Sequence, residues 1–246
     1  MNSRFIRYNQ FGQIVITEED DPDWIVDVML ETGYGDEFCY ALNFDPLFIA
    51  ALMRAGFLVM SVAVGPYRGP DRKLRRYVLL PKLHLERSVV FWEDLHETRT
   101  ARRLLKRYEL RYDADFDRIL ERCVEVHGND WLTPPLQSSV KAIRAIDNSL
   151  VRPVSFGLYR DGKLAAGEFG VVTGRVYTSY SGYRDEDSAG TVQMVLTGRY
   201  LRDTGFAFWD LGMPLAYKDR LGARNISPRL FVELFRGALV NAANVW

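Results

Sequence analysis

Residues 154–224 read VSFGLYRDGKLAAGEFGVVTGRVYTSYSGYRDEDSAGTVQMVLTGRYLRDTGFAFWDLGMPLAYKDRLGAR. Three strand-like runs, Val154–Tyr159, Lys163–Val172 and Arg175–Tyr180, are separated by Asp161-Gly162 and Thr173-Gly174. Such two-residue turns join neighbouring antiparallel strands, so the spacing predicts a three-stranded meander. Ser188–Thr204 then places Val192, Val195, Leu196 and Tyr200 on one helical face. Phe206–Leu211 reads as a further strand, with Asp210 at its strand-to-loop end. This order predicts a mixed α/β (α+β) class.

Working outward, the chain has 246 residues, 48% hydrophobic and 26% charged. That is the profile of a soluble globular protein of one large or two small domains. No run approaches the roughly 18 apolar residues of a membrane span, and the first residues contain no apolar signal core. The expected localisation is cytoplasmic, with no membrane partner. Cys39 and Cys123 are read as two reduced thiols. The three histidines and two cysteines are scattered without metal-ligand spacing, so no metal is expected.

Lys and Arg total 32 and Asp and Glu total 32, yet the charges are unevenly placed. Between Glu18 and Glu37 stand Glu18, Glu19, Asp20, Asp21, Asp23, Asp27, Glu31, Asp36 and Glu37, with no Lys or Arg. Arg68, Arg72, Lys73, Arg75 and Arg76 follow closely around Asp71, and a second basic run is Arg99, Arg102, Arg103, Lys106 and Arg107. Clustered cations can hold a phosphate backbone; a solvated loop and helix face are the other reading.

Before the meander, FGQIVIT (residues 11–17) and Phe38–Leu42 read as short strands and Asp23–Glu31 as a helix closed by Gly33 and Gly35. Asp45-Pro46 opens a helix that ends at Gly56. Phe57–Val64 is a buried strand, Gly65–Arg76 a loop and Tyr77–Leu80 a strand. Ser88–Leu95 has mixed character. Thr98–Arg107 is a basic helix, Tyr108–Tyr112 a strand and Asp115–His127 a helix. Thr133-Pro134 starts a helix to about Asn148, and Ser227-Pro228 starts the last one. The expected division is a small N-terminal domain, 1–76, and a second domain, 77–246.

Several side chains could carry chemistry. A carboxylate at Asp210 can orient an amine, accept its proton or hold a ribose hydroxyl, or cap a loop. Glu168, inside the apolar AAGEFGVV, either faces solvent or is buried with a partner. Tyr177, Tyr180 and Tyr183 form an aromatic group of core or rim type. Trp131 could stack on a base or simply pack. His84, between Lys82 and Arg87, suggests a phosphate-facing strand end. GxSxG, P-loop and GxGxxG motifs are all missing. Arg184–Thr191 has a partial likeness to the loop that binds acyl-CoA pyrophosphate, with added acids and without its paired glycines.

The order of motifs resembles the leucyl/phenylalanyl-tRNA–protein transferase family. The likeness runs through DPLFIAALMRAGF (residues 45–57), LHLERS (83–88), Tyr108–Cys123, Trp131-Leu132-Thr133, Asp161–Leu164, Gly170-Val171, Ser179–Arg184, Asp210 and Leu221–Ala223. It implies a C-terminal domain of the GNAT-like acyltransferase fold behind a small N-terminal α/β domain. It also implies transfer of an amino acid from aminoacyl-tRNA to the N-terminal segment of an acceptor protein, tagging it for degradation, without a cofactor. Carried over, Asp210 matches the essential aspartate, and Trp131 a tryptophan near the terminal adenosine. Tyr177, Gly182 and Gly212 fall among the substrate-binding positions. Arg72, Lys73, Arg75, Arg76, Lys82, His84 and Arg87 fit the tRNA-facing side. The chain departs from the family at four places. Gly212 stands for a glutamine, Tyr180 for a glutamate, Met60 for a tryptophan and Glu168 for a pocket methionine. Tyr180 is therefore the expected replacement hydrogen-bond donor, and Glu168 implies a polar or cationic transferred residue. The competing readings are an acyl-CoA-dependent N-acyltransferase of the GNAT type and a non-catalytic binder of RNA or protein termini.

Overall fold

Capped helices and register-matched strands account for most of the architecture. The computed structural model describes residues 5–66, 75–146 and 151–240. Two units emerge, one of Met1–Leu85 with Gly128–Ala145, the other of Glu86–His127 with Ile146–Trp246.

In the first unit, helix α1 (Pro22–Thr32) starts where the Asp21 carboxylate accepts from the Asp23 amide, with Pro22 at its first position. It stops at Gly33, whose φ of 63° suits glycine. Helix α2 (Pro46–Arg54) repeats this start, with Asp45 accepting from the Leu47 and Phe48 amides. Its buried Ile49, Leu52 and Met53 belong to the core of this unit, where α2 packs on α5 (Pro134–Ala145). Strands β3 (Leu58–Pro66) and β4 (Arg75–Lys82) pair from Leu58↔Lys82 to Pro66↔Arg75. The expected loop is thus shorter at both ends, and residues 67–74, including Arg72 and Lys73, lie outside the described residues. The 76/77 point of the expected domain division falls inside β4. The strand expected over 11–17 is cut to β2 (Ile14–Val15), paired with β1 (Arg7–Tyr8). Asn9 Oδ1 accepts from the Phe11 and Gln13 amides, turning the chain just ahead of it. The strand expected at Phe38–Leu42 is reduced to isolated bridges, including Phe38↔Lys82 and Ala41↔Leu79.

The second unit is built on a seven-stranded sheet. Its strands are β5 (Arg87–Val90), β6 (Glu109–Tyr112), β7 (Val151–Arg160), β8 (Lys163–Thr173), β9 (Val176–Arg184), β10 (Phe208–Gly212) and β11 (Arg224–Ile226), in the order β11-β5-β10-β9-β8-β7-β6. The expected meander is β7-β8-β9, and helix α6 (Ala189–Asp203) carries the chain across to β10. That crossover makes β10 parallel to β9, whereas the other pairings are antiparallel. A meander followed by a helical crossover to a parallel strand is the α+β, GNAT-like arrangement expected. On one face Phe156, Tyr177, Trp209 and Leu211 pack with Val195 and Leu201 of α6. On the other, helix α8 (Pro228–Val240) brings Phe231 against Phe208, and α4 (Phe116–His127) sets Phe116 edge-on to Phe169. Helix α3 (Arg99–Leu104) is followed by a single tight turn, 105–107. Cys39 and Cys123 are both free and buried. No helix among the described residues is long and apolar enough to cross a membrane.

Candidate active site

Strands β9 and β10 are in register only from Val176↔Phe208 to Thr178↔Asp210. Beyond that β10 ends at Gly212 while β9 runs on to Arg184, so the two part. At the same point β9 bulges. Gly170 pairs with Ser179 and Phe169 with Ser181, which leaves Tyr180 as the extra residue. Gly170 permits the close approach, since a Cβ there would lie 2.3 Å from the Thr178 carbonyl oxygen.

A cavity of about 550 Å³ occupies the gap. Its walls include Glu168 from β8, Ser179–Arg184 from β9, Gln193 and Met194 from α6, Leu211 from β10 and Lys218 from the short helix α7 (Ala216–Asp219). Gly190 and Thr191, in the first turn of α6, also line it. Open amides of a helix start favour anionic groups. Two of the three acids beside that start are engaged elsewhere, Asp185 with Arg122 (2.6 Å) and Glu186 with Arg160 (2.9 Å).

Glu168 is buried, which decides between its two readings. Its Oε1 accepts from Ser179 Oγ at 2.9 Å, and Ser179 Oγ in turn accepts from Trp209 Nε1 at 2.8 Å. This relay fixes the carboxylate's orientation. Burial raises its pKa above the ordinary carboxylate value. The Tyr177 hydroxyl lies beside it, fully buried, without a hydrogen bond of normal geometry. Gly182 stands directly opposite Glu168 in the β8–β9 register and puts no side chain over it. Lys218, also buried, donates to the Leu211 carbonyl at 2.6 Å and the Met213 carbonyl at 2.7 Å. Burial pulls its pKa down to about 8, partly offset by the Asp210 and Glu168 charges.

Asp210 stands elsewhere. Trp209 and Leu211 pack toward α6, whereas Phe208 lies on Phe231 of α8, and Asp210 shares the Phe208 side by strand alternation. It is completely buried and does not line the cavity. Arg87 grips it with two bonds, Nε to Oδ1 at 2.8 Å and Nη2 to Oδ2 at 2.6 Å. Thr178 Oγ1 donates to Oδ2 at 2.8 Å and the Gly212 amide to Oδ1 at 2.9 Å. The Arg87 guanidinium carbon sits 4.3 Å from the Phe231 ring centre. Gly212 has φ 72°, a left-handed conformation that favours glycine.

The structure therefore gathers Glu168, Tyr180 and Gly182 at one cavity, with Tyr177 just behind it. Asp210, Arg87 and Gly212 form a buried strut on the sheet's other face. Trp131 belongs to the first unit, where its carbonyl accepts from the Ser61 amide at 2.9 Å. The phosphate-facing expectation meets several departures. Arg87 is buried, Lys82 pairs with Glu37 at 2.9 Å, and His84 is buried 3.6 Å from Glu37. Arg76 is exposed, and the side chain of Arg75 is not among those described. The basic residues exposed together are Arg99, Arg102, Arg103, Lys106 and Arg107, on α3 and the turn after it. Sequence reasoning missed Ser179, Gln193 and Lys218. Only Lys218 left a trace, as a lone cation in the otherwise apolar stretch MPLAYK.

The cavity opens where the parallel strands part, beside the start of a helix. The profile of the leucyl/phenylalanyl-tRNA protein transferases matches residues 89–236. The chain belongs to that family. A leucyl/phenylalanyl-tRNA–protein transferase of Pseudomonas paraeruginosa is 29% identical over 154 residues, 60% of this chain and 66% of the relative. One of Pseudomonas putida is 28% identical over the same shares. The chain thus spans slightly less than two thirds of the relatives' length. Among solved structures, a C-terminal domain from Agrobacterium fabrum ascribed to a lysylphosphatidylglycerol synthetase aligns at 13% identity. That alignment covers 98% of this chain and 90% of the other, with a TM-score of 0.43.

Proposed function

We propose that this chain is an aminoacyl-tRNA-dependent transferase that joins an amino acid to the N-terminal amine of an acceptor protein. The observation that carries the proposal is the cavity between the parting ends of β9 and β10, with the start of α6 at its wall. Its volume falls in the range of small-molecule sites. Family membership supports the same reading.

The aminoacyl ester is already activated, so the protein's task is to place an amine against it and steady the developing oxyanion. In this account the α6 amides and Arg184 attract the last phosphate of the tRNA, and Tyr180 on the bulge donates to the ester oxygen. The exposed cations of α3 hold the tRNA backbone. Asp210 is a positioning residue, because its oxygens are spent on Arg87, Thr178 and Gly212. It holds β5 and β9 to β10 at the last register pair before the strands part. Tyr180→Phe is expected to lower kcat with KM for charged tRNA little changed; an unchanged kcat would remove Tyr180 from the mechanism. The proposal as a whole is tested by incubating the protein with bulk charged tRNA and a peptide bearing a free amine. The expected result is a peptide one residue longer. A folded protein that leaves the peptide unchanged, and gains stability from coenzyme A but not from tRNA, would favour the acyl-CoA alternative.

A further inference from the structure

The cavity has a carboxylate in its wall, and the fold leaves that carboxylate incompletely matched. Ser179 donates to its Oε1 at 2.9 Å, and the other groups turned toward the carboxylate, the Tyr177 hydroxyl and the Gln193 amide, are neutral. No described Lys, Arg or His nitrogen lies within the 4.0 Å of an ion pair with it. Three basic side chains line the same cavity, His127, Lys218 and the exposed Arg184. His127 Nε2 is 2.8 Å from the Gly182 carbonyl, and Lys218 is held by its two carbonyls. Arg87, the remaining buried cation nearby, is closed on Asp210.

A buried carboxylate without a cation is costly, and here it is oriented rather than merely tolerated. The Trp209–Ser179–Glu168 relay holds it, Gly182 clears the space opposite, and Gln193 adds a second buried polar group to the wall. The remaining wall includes the apolar side chains of Val126, Met194 and Leu211. Apolar sides with a fixed carboxylate suit a long aliphatic stem ending in a cation, since the stem covers apolar surface while the head meets the charge.

We propose that the residue transferred by this protein is cationic, lysine or arginine, with its side chain in the cavity and its charged head on Glu168. The inference rests on the transferase reading above and adds the class of donor. A leucine or phenylalanine side chain in the same place would desolvate the carboxylate without compensating it.

The test uses the full chain, a reporter peptide and a set of tRNAs individually charged with lysine, arginine, glutamine, methionine, leucine and phenylalanine. Products are read by mass spectrometry. Lysine or arginine is expected to be transferred, with leucine and phenylalanine lower by roughly 10-fold or more. Glu168→Gln is expected to lower the cationic donors roughly 10- to 100-fold and to narrow their advantage over leucine. Its thermal unfolding checks that the variant is folded. Glu168→Met is expected to favour leucine or methionine. Efficient leucine transfer by the unaltered protein would overturn the inference and leave the transferase reading standing. So would an equal loss across all donors in Glu168→Gln, which would put the carboxylate at the common α-ammonium. A folded protein that transfers from none of the charged tRNAs would overturn the transferase reading itself, and the inference with it.

Discussion

Replacing Asp210 by alanine removes the acceptor for four hydrogen bonds and leaves the Arg87 guanidinium buried without its counter-ion. The Arg87 side chain is 2% exposed and its Nη1 has no partner among the described residues, so water cannot take over. Breaking a buried ion pair by removing one partner costs about 3–5 kcal/mol. For a chain of this size that corresponds to a fall in Tm of roughly 6–20 °C. The double variant Arg87→Met/Asp210→Leu deletes both charges together and should recover part of the loss. It still strands the Thr178 hydroxyl and the Gly212 amide, at about 1–3 kcal/mol each, so full recovery is not expected. Urea titrations with a thermal melt give the two stabilities. Transfer by the double variant, assayed about 20 °C below its own Tm, separates a strut from a reacting group. Measurable transfer agrees with a positioning role. The reasoning is refuted if Asp210→Ala loses less than about 1 kcal/mol, or if the two substitutions are additive. A fully folded double variant with no transfer would assign Asp210 to the reacting atoms.

Three further outcomes follow from the same geometry. Burial raises the pKa of Glu168, so the fold binds its proton more tightly than the unfolded chain does. The resulting penalty is absent below the ordinary carboxylate value of about 4.3 and complete above the raised one. Glu168→Gln should therefore raise Tm near pH 8 and leave it unchanged near pH 4; equal effects at both would contradict the burial argument. A Cβ at Gly182 would sit 3.2 Å from the Gly167 carbonyl and 3.4 Å from the Glu168 Cβ. Gly182→Leu should then abolish transfer while lowering Tm by only a few degrees, whereas unimpaired transfer would take Gly182 out of the substrate path. Arg102→Glu with Arg103→Glu should weaken gel-shift binding of tRNA and flatten its salt dependence; unchanged binding at two salt concentrations would move the grip elsewhere.

Local signals explain what was legible in the sequence. Asp21-Pro22 and Asp45-Pro46 predicted the starts of α1 and α2, because cap and proline act within a few residues. Asp161-Gly162 marked the first turn of the β7-β8-β9 meander for the same reason. The second turn falls at Gly174-Arg175, one residue later than the expected Thr173-Gly174, because Thr173 still pairs with Val176. Long-range facts were harder to read. The pairing of β10 with β9 is parallel and spans a whole helix, so no turn marks it. The Tyr180 bulge leaves the pattern of apolar residues intact and changes only the register. Asp210 and Glu168 were both legible as carboxylates on apolar strands. Which of them meets the cavity depends on strand alternation and on a partner, Arg87, 123 positions away. Lys82 and His84 read as basic surface, but Glu37, remote in sequence, draws them inward.

The central claim is that the cavity between β9 and β10 holds an aminoacyl group on its way to an amine. Its most direct test is mass spectrometry of a free-amine peptide after incubation with this protein and bulk charged tRNA. The account predicts a single added residue whose mass is that of lysine or arginine. A peptide of unchanged mass, with the protein shown by its melt to be folded, would contradict it.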